Sequence, residues 1–270
     1  PHPGKYNVPL KAIYGVASGA PGTLRRDGVI MVIRLFLFIF AFGLSATSNA
    51  HKPFFSDGQF SGPESAYQIE DIDVSIVLYH EVTCDSQAVW LRFDNKAGDL
   101  LYHQVGVPYL ERMSDYRPVL AVVAPGLEME DVPFEVPEGM GAKILETSWV
   151  QEPEEFLEPF TSTRSWILND NLLELPAEGE GYVVAWHPEG LTGKLWVAVG
   201  TVEDFTPDDI ARVTGLGRRL QDFHEQRNHS PRPEMMICDS PLSAQGGCAA
   251  SPPSWPFLCL FLWCIARRKT

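Results

Sequence analysis

Residues 181–200 read GYVVAWHPEGLTGKLWVAVG, and no other stretch limits the fold so strongly. Residues 182–186 and 195–199 are short β-branched and aromatic runs, a composition suited to a pleated, covered strand. Between them, residues 187–194 are dense in turn formers, and Pro188 cannot donate to a ladder, which places it in a loop or at a strand end. The expected unit is an antiparallel hairpin. With aromatics on both arms it is too apolar to stand alone and needs further strands to pack against.

The rest of the chain supplies them. Residues 75–82, 88–94, 100–107, 117–123, 141–146 and 166–175 have strand composition, and Gly, Pro, Asn and Asp separate them. Residues 100–107 read as the return strand after a turn at 95–99. A helix follows: Thr206 is the expected N-cap, Pro207 sits at the first helical position, and Asp208 and Asp209 complement the positive end of the helix dipole. Ile210, Val213, Leu216, Leu220 and Phe223 recur at helical spacing, a stripe expected to cover one end of the strand assembly. The fold class this predicts is all-β, an antiparallel β-sandwich of jelly-roll or Ig-like kind, with one C-terminal amphipathic helix and hydrophobic segments at both ends.

Those end segments predict an address. Residues 1–30 show no periodicity and read as upstream translation outside the fold. Met31 then opens a start followed by Arg34, an apolar run over 35–44, and Ser48-Asn49-Ala50. These are the parts of a secretory signal peptide over 31–50, and cleavage after Ala50 leaves His51 at the mature N-terminus. The expected organisation continues with an extended segment over 51–70, the β domain over 71–205, the helix over 206–225, a linker over 226–247 and a membrane or sorting segment over 248–270. In that last segment Cys248 precedes the apolar run WPFLCLFLWCIA, and Arg267, Arg268 and Lys269 follow it. The run is short for a helix crossing a roughly 30 Å hydrocarbon core, and the basic residues behind it are expected to stay cytoplasmic. The arrangement resembles the MYXO-CTERM type of sorting signal. That resemblance implies processing and anchoring at or near Cys248 on a bacterial cell surface or outer membrane. The extra cysteines Cys259 and Cys264 inside the run depart from the pattern.

The core carries a second resemblance. Residues 90–99 (WLRFDNKAGD) and the stretch 179–200, with GYVV at 181–184 and GKLWV at 193–197, resemble bacterial pre-peptidase C-terminal domains and related jelly rolls. The resemblance implies a fold and leaves the activity open. The acidic stretch 128–158 departs from it as an insertion.

Charge narrows the partners. A formal net charge of −14 excludes nucleic acid as the expected partner, since phosphates call for a basic surface. Ten carboxylates against Lys143 fall within 128–158, which reads as a solvated acidic face or, alternatively, as a site for calcium or a cationic partner. Cys84 is isolated from the four tail cysteines and reads as a free residue near a turn; pairing with Cys238 stays open.

No reaction is spelled out. A Gly-rich phosphate loop, a GxSxG elbow, HExxH and CxxC are all absent from the sequence. The aromatics Trp149, Phe156, Phe160 and Trp166, with Glu154 and Glu155 among them, form a candidate platform for a glycan or a protein. The alternative is a copper site. A mature His51 offers both its α-amine and its imidazole to one ion, and His80, His103 or His187 would complete the nitrogen-rich set that suits Cu(II). Such histidine braces occur in lytic polysaccharide monooxygenases and copper-carrier sandwiches. The leading expectation is a non-catalytic binding or structural module held to the membrane through its C-terminal segment.

Overall fold

The run Val119-Leu120-Ala121-Val122-Val123-Ala124 has no polar side chain to show water, so a strand built from it must be covered on both faces. The computed structural model shows how. It describes residues 51–158, 161–227, 234–239 and 242. Among the described residues, eleven strands form two sheets: β1 (Lys52–Ser56), β2 (Tyr67–Gln68), β3 (Ile76–Val82), β4 (Ala88–Asn95), β5 (Leu100–Pro108), β6 (Val119–Pro125), β7 (Met140–Leu145), β8 (Glu154–Glu158), β9 (Thr163–Glu174), β10 (Gly179–Trp186) and β11 (Gly193–Val199). A helix, α1 (Pro207–Phe223), follows. The first sheet is ordered β1-β3-β11-β5-β9-β8 and the second β2-β4-β10-β6-β7. Pairing is antiparallel except for the two N-terminal additions, β1 on β3 and β2 on β4, which are parallel.

The largest core cluster is shared between the sheets. Leu78, Leu101, Val105, Leu195 and Val197 come from the first sheet, and Leu91, Phe93, Leu120, Val122 and Val183 from the second. The outer faces are covered as well. On the second sheet, Val119, Ala121 and Val123 turn outward with Trp90 and Trp186, and Val132, Phe134 and Val136 lie over them. Phe134 meets Trp90 edge-on at 4.8 Å. The stretch expected as a solvated acidic face thus sends apolar side chains onto a sheet. On the first sheet, Val77, Tyr79, Trp196 and Ala198 turn outward and are met by Leu220 and Phe223 of α1. The helix forms where its start signals place it, with a full capping box between Thr206 and Asp209. Its stripe covers a sheet face, however, and not an end of the assembly.

Residues 181–200 do not form a hairpin. β10 pairs with β4 and β6 in the second sheet, while β11 pairs with β3 and β5 in the first. The linking residues 187–192 cross from one sheet to the other. β5 likewise is no return strand for β4, because the turn at 95–99 also changes sheet. Turn residues report that the chain reverses; they carry no information about which sheet receives it.

Cys84 is not free. It forms a disulfide with Cys238 across 154 residues, with the Cα atoms 5.3 Å apart. Part of the expected linker is therefore held down: Cys238 N–H donates to Gly190 C=O at 3.0 Å, and Thr192 N–H donates to Met236 C=O at 2.9 Å. Among the described residues, no helix is long and apolar enough to cross a membrane. The signal-peptide and sorting residues Ala50, Cys248, Arg267 and Arg268 lie outside the described residues, as does Phe160.

Candidate functional site

The outward face of the first sheet alternates with the core face along each strand. Tyr79 on β3, Gln104 on β5, Ser165 on β9 and Trp196 on β11 all point toward α1, and with residues 203–213 overhead they enclose a cavity of about 300 Å³. Its walls are mostly apolar: Val77, Tyr79, Phe156, Trp196, Phe205 and Val213. Gly106 makes room for the floor. A Cβ there would stand 2.2 Å from the Trp196 ring and 2.5 Å from the Trp166 carbonyl oxygen, so the indole lies where a side chain would be.

Polar groups gather at one pole. His51, Gln104 and Phe156 also line a neighbouring cavity of about 260 Å³, which adds Tyr102, Glu154 and Asp170. Glu158 and Glu203 border the larger cavity. Gln104 Nε2 donates to Asp170 at 3.1 Å. Burial pushes the Tyr102 phenol above its ordinary range, and Asp170 beside it pushes the same way. His51 is bonded through Nδ1 to Ser75 Oγ. Burial lowers its pKa; Glu203, Glu158 and Asp170 pull it back up without restoring it.

The floor contains a relay. His224 Nδ1–H donates to the Leu220 carbonyl at 2.8 Å, which leaves Nε2 as an acceptor for Ser165 Oγ at 3.1 Å. Trp196 Nε1–H then donates to Ser165 Oγ at 3.2 Å. A serine beside a histidine in this tautomer has the layout of a nucleophile and its base. Burial lowers the His224 pKa to about 4, far from the neutral range in which a general base is effective. The relay satisfies three buried polar groups, and packing accounts for it.

The residues singled out from sequence go to different places. Glu154 and Phe156 line the cavities, but Glu155, one residue between them, turns away to pair with Arg164. Trp149 is 69% exposed, with Nε1 donating to the Glu146 carbonyl at 2.9 Å. Trp166 packs on Tyr109 at 4.4 Å. The expected aromatic platform is thus dispersed. The four histidines are dispersed too. His80 and His103 alternate with core residues and point between the sheets, opposite in register to Leu195 and Val199. His51 faces the opposite side of the same sheet, and His187 stacks on Tyr116 in the loop after β10. Among the described residues, no group of three or more His, Cys, Asp or Glu side chains is placed to hold a metal ion.

Tyr79, Trp196, Gln104, Asp170 and Glu203 were not singled out from sequence. One signal for them exists: residues 76–82 and 193–199 are apolar on both alternating faces, so an outer face had to be covered. The chain matches no protein-family model and no curated protein.

Proposed function

We propose that this protein is an exported, surface-anchored, non-catalytic binding module of jelly-roll type, and that it binds its ligand in the cavity beneath α1. The cavity carries the reading: an apolar hollow with a few convergent polar groups is the usual form of a small-molecule site. Strand order supports the jelly roll. The series β3-β11-β5-β9 in one sheet and β4-β10-β6-β7 in the other is what results when a folded-over ribbon wraps into two sheets, and it agrees with the resemblance to pre-peptidase C-terminal domains. The Cys84–Cys238 disulfide supports export, since such bonds persist in oxidising compartments. The signal-peptide pattern over 31–50 and the MYXO-CTERM-like segment over 248–270 support passage through one bacterial membrane and retention at the surface.

An uncharged apolar dye, N-phenyl-1-naphthylamine, tests the site. Wild type is expected to bind one equivalent saturably. Val213→Trp, which fills the cavity from the helix, and Val77→Phe, which fills it from the floor, should each abolish binding in a folded protein. Failure of wild type to bind the dye refutes the site. Intact mass from the native membrane fraction tests the address, with a chain starting at His51 and ending near Cys248 as the expected result.

A further inference from the structure

We infer that the acidic pole of this cavity is the docking site of the chain's own mature N-terminus: cleavage after Ala50 turns the His51 backbone nitrogen into an α-ammonium that pairs with the carboxylates there, so that the ligand site is finished only after export. This rests on the signal-peptide reading and on the cavity being the binding site, and it ties the two together. Before cleavage that nitrogen belongs to the peptide bond with Ala50 and offers one donor and no charge. Hydrolysis by a signal peptidase adds water across the bond: Ala50 leaves as a carboxylate, and His51 keeps an amine that is mostly protonated at pH 7. The site then gains one positive charge and up to three donors.

His51 is held in place for this role. It is half-buried and lines both cavities. Ser75, just before β3, grips it twice: Ser75 Oγ bonds Nδ1 of the ring, and the Ser75 carbonyl accepts from the N–H of Lys52 at 2.9 Å. Lys52 in turn meets Asp209 of α1 at 3.1 Å. The His51 backbone nitrogen is joined to the ring through Cα and Cβ alone, so it shares the ring's surroundings. Beside the ring, Tyr102, Gln104, Glu154 and Asp170 line the smaller cavity. The charges acting on the ring come from Glu203 ahead of α1, Glu158 on β8 and Asp170 on β9, and all are negative. That field favours a cation over a neutral amide at the adjoining nitrogen. A carboxylate accepts from several donors at once, so Asp170 can receive an ammonium while it receives Gln104 Nε2.

Two forms of the protein with the same C-terminus test this, one starting at His51 and one retaining Ser48-Asn49-Ala50. The form starting at His51 is expected to have a folding equilibrium constant about tenfold larger in urea and a Tm roughly 2–4 °C higher at pH 7, the scale of one partly buried charge pair. It should also bind N-phenyl-1-naphthylamine more tightly. Asp170→Asn and Glu203→Gln, each made in both forms and read separately so that misfolding of one does not decide the matter, should shrink the stability gap. A gap that survives both substitutions unchanged is steric, set by the extra residues alone, and overturns the inference. Equal stability of the two forms, or greater stability of the extended one, overturns it as well. A charge-dependent gap with equal dye affinity keeps the docked terminus and overturns its part in the ligand site. If neither form binds the dye, the cavity falls as a ligand site while the gap still decides the docking. A native intact mass that places the start elsewhere removes the premise, and the inference with it.

Discussion

At Gly106 the backbone and an aromatic ring compete for the same volume. The Trp196 indole lies over this residue, and the β5–β9 register shifts between Val105 and Gly106. Gly106→Ala should therefore push the indole out of place, cost about 1–3 kcal/mol in urea unfolding and weaken dye binding. Core histidines are the other residue-scale feature. Both ring nitrogens of His103 lack a hydrogen-bond partner among the described residues, although the side chain is fully buried. Replacing it with Leu removes an uncompensated polar group at little change in volume. His103→Leu should raise stability by about 1 kcal/mol at pH 7 and by more in mild acid, measured as Tm. Neither position announces itself in the sequence. His103 reads there as a candidate ligand because imidazole chemistry is local, whereas the direction a strand residue faces depends on which sheet receives the strand.

Elements were more legible than their partners. The strands near 76–82, 88–95 and 119–125 follow from β-branched runs between turn residues, and α1 from Thr206-Pro207-Asp208-Asp209 and the stripe behind them. β8 is hidden, because Glu154-Glu155-Phe156-Leu157-Glu158 carries an edge strand's charges and not a core strand's apolar run. Pairing is not legible at all from local pattern, which is why the stretch around Pro188 looks like a hairpin and is a crossing. The cavity shares that fate: Phe156 and Glu154 could be singled out one by one, but the wall that Tyr79, Gln104 and Trp196 share exists only once β3, β5 and β11 are neighbours. Two clamps hold the roof and the tail. Lys194 Nζ donates to the Phe223 carbonyl at 2.9 Å and meets Glu225 at 3.1 Å. Burial works against the charged form of Glu225, yet Arg112 and Lys194 hold its carboxyl below the usual range. Glu225→Ala leaves Lys194 buried beside the helix end, with an expected loss of about 3–5 kcal/mol and faster amide exchange in the last turn of α1. Cys238→Ser should cost about 2–5 kcal/mol by releasing the loop that the disulfide closes, and reductant should lower the wild-type Tm by a similar amount and leave the variant unaffected.

For the whole molecule, acid is the expected weakness. Burial lowers the pKa of His80, His103, His187 and His224 to about 4 in the folded protein, against about 6.5 for an unfolded chain. Between those values the unfolded state binds more protons, so stability rises with pH across the window. The contribution is fully present above about pH 6.5 and is lost as pH falls toward 4, on the order of 2–3 kcal/mol per histidine. Tm should be flat from pH 8 to 7 and drop steeply between 6 and 4.5; a flat Tm across that interval would contradict the burial of these rings. The topology sets a different limit, on timing. Ile76 pairs with Val199, and β4 pairs with β10, so the central strands of both sheets wait for residues synthesised much later in the chain. Long-range closures of this kind are slow, and they keep the early strands from completing a sheet while synthesis continues. The domain cannot finish folding until these later strands exist, and the same delay leaves Cys84 without its partner until Cys238 has arrived.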